Sequence, residues 1–305
     1  MIMHLFDQYF KKYPKQLGIF LSIIGVLILT PDTMVMRFSN LEQWPLMGWR
    51  GVLMGVTLLI IWRFILNPCV EKELRSLLSW KGFVVIFSFA INSIFFTLGI
   101  LETSVMLILT ALAIMPVFAA VLSSFMLKEV QGWLGWLTII ASMVGVSIVV
   151  SDGNNAIGQP TGSIILGAIY GGMTAFGLAL TFTMARKYPD LAVLPAGAVG
   201  AMISGIIGFA LSSVDGVFNA PIWTIFSMGV IILPLSFTCL IIAPRYTTSA
   251  IVSLIMLLEM VIGPFWVWIG IGERPSITMI CGSIIVFVVI AFHIFRTQFS
   301  YSEKT

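Results

Sequence analysis

The sequence predicts an all-α integral membrane protein with ten transmembrane helices arranged as two inverted five-helix repeats. Three observations predict it. The first is composition: of 305 residues, 59% are hydrophobic and 10% charged, with a mean hydropathy of +1.07. A soluble domain is about a quarter charged. The second is the spacing of apolar runs, which fall at 17–36, 46–66, 82–101, 104–127, 133–150, 162–184, 191–212, 222–243, 247–271 and 276–296. Each is helix-length, since crossing a bilayer takes about 20 residues in a helix and about 10 in a barrel strand. Helices also satisfy their own backbone groups, as lipid demands. The third is an internal echo. The stretch Ile100–Glu129 reappears as Arg245–Glu273: shifted by 144 positions, Thr103 falls on Thr247, Ser104 on Thr248 and Glu129 on Glu273.

Taken in order, the first run begins near Leu17 and ends in TPDTMVMRF without a small-residue cleavage site, so it reads as a retained span rather than a signal peptide. The second and seventh runs carry small residues at helix-packing spacing, Gly51 with Gly55, and Gly200 with Ser204 and Gly208; Gly167 and Gly171 do the same in the sixth. Ordinary close packing of helices accounts for them. Between the fifth and sixth runs lies Ser151–Gly162, SDGNNAIGQPTG, a polar turn-rich linker. It divides the chain into a first repeat over residues 1–150 and a second over 151–305. Five spans is an odd number, so the second repeat enters the membrane in the opposite sense. Inverted repeats of this kind mark secondary transporters, with the substrate site near the midplane between the halves.

Orientation follows from Lys and Arg. With a cytoplasmic N-terminus, the inner side carries Lys11, Lys12, Lys15, Arg63, Lys72, Arg75, Lys81, Lys128, Arg186, Lys187, Arg245, Arg296 and Lys304, 13 of the 16 basic residues. Both termini are therefore expected inside, in a cell inner (plasma) membrane. Basic residues interspersed among apolar runs do not form a nucleic-acid patch. Cys69, Cys239 and Cys281 are far apart in sequence and read as small packing residues. Trp44, Trp62, Trp80, Trp133 and Trp223 near span ends suit an interfacial belt.

Few polar groups lie at membrane depth, where an ionisable side chain is expensive and by default a functional candidate. Glu259 sits about 12 residues from the end of a span that needs about 20, hence near the midplane. It reads either as a structural carboxyl hydrogen-bonded inside the bundle or as a ligand or proton site. Asp32 follows Pro31, so it either caps a broken helix or contacts substrate at a discontinuous one. Arg50 either pairs with Asp32, snorkels to outer headgroups, or clamps a carboxylate or phosphate with its planar fork. Asn92 lines the same cavity or bonds another helix. Tyr170 and Trp266 are packing or pocket residues. Pro31, Pro116 and Pro264 are candidate hinges, because proline removes a backbone hydrogen bond. Glu129 and Glu273, beside Lys128 and Arg274, read as turn-fixing groups at span ends.

The spacing of these residues resembles the EamA type of the drug/metabolite transporter superfamily over about residues 17–296. Pro116 precedes Glu129 by 13 residues and Glu259 precedes Glu273 by 14, Trp49-Arg50 stands in MGWRGVLMG, and each half keeps one glycine after its glutamate, Gly145 and Gly282. The resemblance implies ten helices, a central cavity and alternating access, and favours export of a small polar metabolite such as an amino acid or related compound. A sensor or assembly partner without transport is the alternative. An enzyme is not expected: the chain has no HExxH, GxSxG or Walker loop and no Cys/His metal spacing. No cofactor or metal is expected. The expected partners are a small-molecule substrate, protons and membrane lipids, in a monomer or homodimer.

Overall fold

The computed structural model describes residues 14–66, 69–102, 108, 111–129, 132–151, 164–271 apart from 218–220, and 277–292 apart from 278, 279, 283 and 286. Among the described residues there are helices and turns but no strand. The helices are α1 (Pro14–Leu29), α2 (Asp32–Ser39), α3 (Gln43–Ile60), α4 (Val70–Leu77), α5 (Trp80–Glu102), α6 (Met115–Leu127), α7 (Trp133–Ser151), α8 (Ile164–Lys187) and α9 (Val193–Leu211). Then come α10 (Ile222–Phe226), α11 (Leu233–Ile242), α12 (Ser249–Ile271) and α13 (Ile280–Phe292).

Among the described residues, seven helical stretches are long and apolar enough to cross a membrane: Pro14–Ser39, Gln43–Ile65, Trp80–Ile100, Ile165–Lys187, Val193–Leu211, Ile222–Arg245 and Ser249–Gly270. Three shorter apolar helices accompany them, Met115–Leu127, Trp133–Gly145 and Ile280–Phe292. The fourth apolar run is not one continuous helix. Its described part turns at Ala113–Ile114 before α6 starts, and Pro116 sits in the first turn of α6, where the proline's missing N–H costs no helical hydrogen bond. The first run is also divided: it turns at Thr30–Pro31 and resumes as α2.

The eighth run carries a different irregularity. Between α10 and α11 the backbone widens into a π-helix, Ser227–Ile232, directly before Leu233-Pro234. Proline cannot donate to the preceding turn, and a π-segment relieves the mismatch. A second π-segment, Ile61–Ile65, ends α3.

Helices of the first and last parts of the chain interdigitate. The most extensive pairing is α3 with α9, then α5 with α8 and α9; α11 and α12 pack on α1, and α6 on α8 and α12. Glycines make the α3–α9 seam possible. A Cβ on Gly51 would stand 2.5 Å from the Ala201 carbonyl oxygen, and one on Gly208 would stand 2.5 Å from the Gly48 nitrogen. The small residues thus lie where the sequence predicts close packing. Of the cysteines, only Cys239 is partly buried; Cys69 and Cys281 are exposed, so packing does not explain those two. Trp80, Trp133 and Trp223 are exposed as a belt requires. Trp62 instead is buried and donates its indole N–H to Glu73 of α4.

Candidate functional site: a cavity between the two halves of the chain

A cavity of about 760 Å³, counting its mouth, lies among the spans and draws lining residues from α1, α2, α3, α5, α6, α8, α11 and α12. Its wall is mostly apolar, with Met54, Phe89, Phe96, Met115, Phe237 and Met256 among the larger side chains. Four of the predicted site residues converge on it: Asp32, Arg50, Asn92 and Glu259. All four are buried, with relative exposures of 0%, 7%, 5% and 7%.

Asp32 reaches the cavity because the chain turns at Pro31 and places it in the first turn of α2. A negative group is favoured at a helix N-terminus, where the unpaired N–H groups carry partial positive charge. Its carboxylate does not serve as a side-chain cap. Both of its oxygens accept from Arg50 Nη1, each at 2.8 Å. Arg50 therefore takes the pairing predicted as one of its alternatives, and through a single nitrogen rather than through a two-nitrogen fork. The same nitrogen lies 3.7 Å from Met228 Sδ, and the guanidinium stands 5.8 Å from the centroid of the Phe96 ring. Met228 belongs to the π-segment before Pro234, so that backbone irregularity brings a side chain against Arg50.

Glu259 projects from the middle of α12 and lies within the electrostatic reach of both Asp32 and Arg50. No hydrogen bond or ion pair among the described residues engages its carboxyl, the Asn92 amide, or Arg50 Nε and Nη2. The hydroxyls of the wall are differently placed. Ser253 donates to the Ala250 carbonyl at 2.9 Å, Thr97 donates to the Ser93 carbonyl at 3.0 Å, and Ser93 shares a hydrogen bond with Ser204 at 2.7 Å. The residues that sequence reasoning missed are these hydroxyls, Met228, and the phenylalanines. Only Pro234 offered a signal, as a proline inside an apolar run.

Tyr170 and Trp266 stand away from the cavity wall. Tyr170 packs its ring against Phe95, with centroids 5.6 Å apart. Trp266 donates its indole N–H to Thr30 Oγ1 at 2.8 Å and so ties α12 to the turn that precedes Asp32. Of the candidate hinges, Pro31 stands at a break between helices, Pro116 starts a helix, and Pro264 lies within α12, which continues through it. Glu129 joins two helix ends: its Oε1 accepts from Arg186 Nε and Nη2, each at 3.3 Å. Arg186 also donates to the Arg245 carbonyl at 3.3 Å. Glu273, Arg274 and the Ser151–Gly162 linker after its first residue lie outside the described residues. Among the described residues no group of His, Cys, Asp and Glu could hold a metal ion.

Comparison with solved structures finds the same fold in a chain described as "Crystal structure of protein", with a TM-score of 0.73 and 10% identity, covering 90% of this chain and 94% of that one. At that identity the likeness speaks for fold alone. No curated protein matches the sequence. Residues 16–151 match the model of the EamA-like transporter family. That segment contains Asp32, Arg50 and Asn92, three of the four predicted site residues that line the cavity. Over residues 16–151 the chain is thus similar to the EamA-like transporter family of the drug/metabolite transporter superfamily, and its long apolar helices suit a multi-pass membrane protein.

Proposed function

We propose that the protein is a secondary active transporter that exports a small polar metabolite, such as an amino acid or a related compound, by alternating access around this cavity. One observation carries the reading: buried polar groups with unused bonding capacity, Glu259, Asn92 and two nitrogens of Arg50, share one wall. In a bilayer interior such groups are costly and concentrate on transport pathways.

An architecture of ten spans in two inverted repeats, residues 1–150 and 151–305, supports the mechanism. Number the apolar runs 1 to 10. The packing pairs 1·8 and 3·6 exchange when five is added to first-half numbers and subtracted from second-half ones. So do 1·9 and 4·6, and 2·8 and 3·7, while 2·7 and 4·9 map onto themselves. The most extensive pairings obey that exchange, as a two-fold axis between halves would require, and inverted halves give two states around one site. The Lys/Arg distribution favours both termini in the cytoplasm of a cell whose inner membrane holds the protein. A sensor or assembly partner without transport has no comparable observation behind it.

The test is flux. The full-length protein is reconstituted into liposomes loaded with a pool of radiolabelled amino acids, and exit is compared with that from protein-free liposomes. Faster protein-dependent exit of at least one labelled species is expected. Equal rates throughout refute export of this class of compound.

A further inference from the structure

We infer that the cavity recognises its substrate by an ammonium group held at Glu259, with an apolar body against the phenylalanines, and that a substrate carboxylate is dispensable. This rests on the transport reading for its biological sense, but binding is testable without it.

The first ground is the direction of the available hydrogen bonds. A hydroxyl has one proton to donate. Ser253 and Thr97 have spent theirs on the Ala250 and Ser93 carbonyls, so toward the cavity they can only accept. Glu259 contributes carboxyl oxygens and Asn92 an amide oxygen with no partner among the described residues. An ammonium ion brings three donors and no acceptor. It is complementary to such a wall, whereas a carboxylate, which only accepts, finds its donors restricted to the remaining nitrogens of Arg50 and Asn92.

The second ground is charge. Asp32 and Arg50 already neutralise each other at 2.8 Å. Glu259, on the facing helix, is the one ionisable group of the wall without an ion-pair partner among the described residues. A monovalent cation beside ionised Glu259 brings the buried set to zero net charge. A zwitterion beside it leaves the set at one negative charge, and its carboxylate enters the field of both Asp32 and Glu259. Uncompensated charge in a low-dielectric interior is strongly disfavoured.

The third ground is the rest of the wall. Phe89, Phe96 and Phe237 line the same cavity, and Phe89 and Phe237 meet edge to face with centroids 5.2 Å apart. Aromatic faces attract cations and cover alkyl or aryl bodies alike.

Purified full-length protein in detergent is titrated calorimetrically with two matched series. One is aromatic: phenethylammonium, phenylalanine and 3-phenylpropionate. The other is aliphatic: isopentylammonium, leucine and 4-methylpentanoate. At least one ammonium ion should bind as tightly as its parent amino acid or more tightly, and neither acid should bind. Glu259→Gln should weaken the ammonium by about tenfold or more, because it loses a charge-assisted hydrogen bond. Glu259→Asp, which keeps the charge, should retain measurable binding, and both variants are checked for an unchanged gel-filtration profile. If both ammonium ions fail to bind, or an amino acid binds and its amine does not, the inference is overturned. Amine binding without protein-dependent flux would instead uphold it and count against transport; flux of leucine or phenylalanine that neither amine inhibits would do the reverse.

Discussion

Replacing Arg50 by methionine removes the only cation among the described residues of the cavity wall while keeping a long flexible side chain in its place. Asp32 is then left fully buried without its partner, and Glu259 stands in its field with no compensating cation from Arg50. Deleting one partner of a buried ion pair costs about 3–5 kcal/mol, because the remaining charge is uncompensated. The opposite change, Asp32→Asn, is much milder. Its amide oxygen can still accept from Arg50 Nη1, and Arg50 keeps Glu259 within electrostatic reach. Only the difference between a charge-assisted and a neutral hydrogen bond is lost, about 1–2 kcal/mol. The double variant, Arg50→Met with Asp32→Asn, should recover at least about 1 kcal/mol relative to Arg50→Met, since contacting residues are not additive. Unfolding in mixed detergent micelles at increasing dodecyl sulfate, followed by circular dichroism, measures all three. Equal losses for the two single variants, or losses of under about 0.5 kcal/mol for both, would falsify the assignment of Asp32, Arg50 and Glu259 to one coupled set.

Four other outcomes are expected. Arg50→Lys should keep the contact with Asp32, which uses one nitrogen, yet slow flux in proteoliposomes, because an ammonium supplies no counterpart to the free Nε and Nη2; normal flux makes Arg50 an anchor for α2 alone. Gly51→Ala should destabilise by about 1–3 kcal/mol by forcing α3 from α9, whereas Gly172→Ala, whose added Cβ meets nothing within 4 Å, should be neutral; equal effects in the micelle assay dispose of the seam. In a chain freed of the exposed Cys69 and Cys281, an impermeant thiol reagent outside cells should modify a cysteine at position 155 and spare one at 72, and the reverse pattern inverts the topology. An outside-acid gradient should accelerate efflux through the wild type and leave Glu259→Gln unaffected, as a carboxyl that trades a proton for a cation requires; an equal response in both assigns the proton to another group.

The fold was legible in the sequence because apolar length is a direct consequence of the bilayer's thickness. Among the described residues, seven of the runs hold a helical stretch long enough to span and the other three hold a shorter apolar helix. The ionisable part of the site was legible for the same reason: lipid makes a midspan charge so costly that Asp32, Arg50 and Glu259 stood out without any knowledge of packing. Aromatic positions were not legible. The helix carrying Tyr170 and the helix carrying Trp266 are apolar on every face, so periodicity cannot say which side meets a cavity and which meets a neighbour. The phenylalanines of the wall, Phe89, Phe96 and Phe237, were hidden among 23 in the chain. Glu129 was read as a local turn residue, and its partner Arg186 lies 57 positions away, a pairing only tertiary structure reveals.

The distribution of satisfied and unsatisfied polar groups ties these results together. At one end of the bundle, side chains from α6, α8 and α12 bond one another. Ser123 meets Ser249 at 2.6 Å, Thr183 lies 3.4 Å from Ser249, Glu129 holds Arg186, and Arg245 donates to the Leu191 carbonyl at 3.0 Å. Of the atoms left without a partner there, Glu129 Oε2 and Arg245 Nε belong to groups already held through another atom, while the Thr247 hydroxyl has no partner among the described residues. In the cavity the position is reversed: the Glu259 carboxyl and the Asn92 amide have no bonding partner at all among the described residues. A chain seeking stability alone would pair these groups or replace them with apolar ones, because each unmet polar group in an apolar interior costs about 1–3 kcal/mol. Bonding capacity withheld from the fold at one enclosed place, and largely consumed at the other end, is what a protein needs if it must hold a polar solute among its helices.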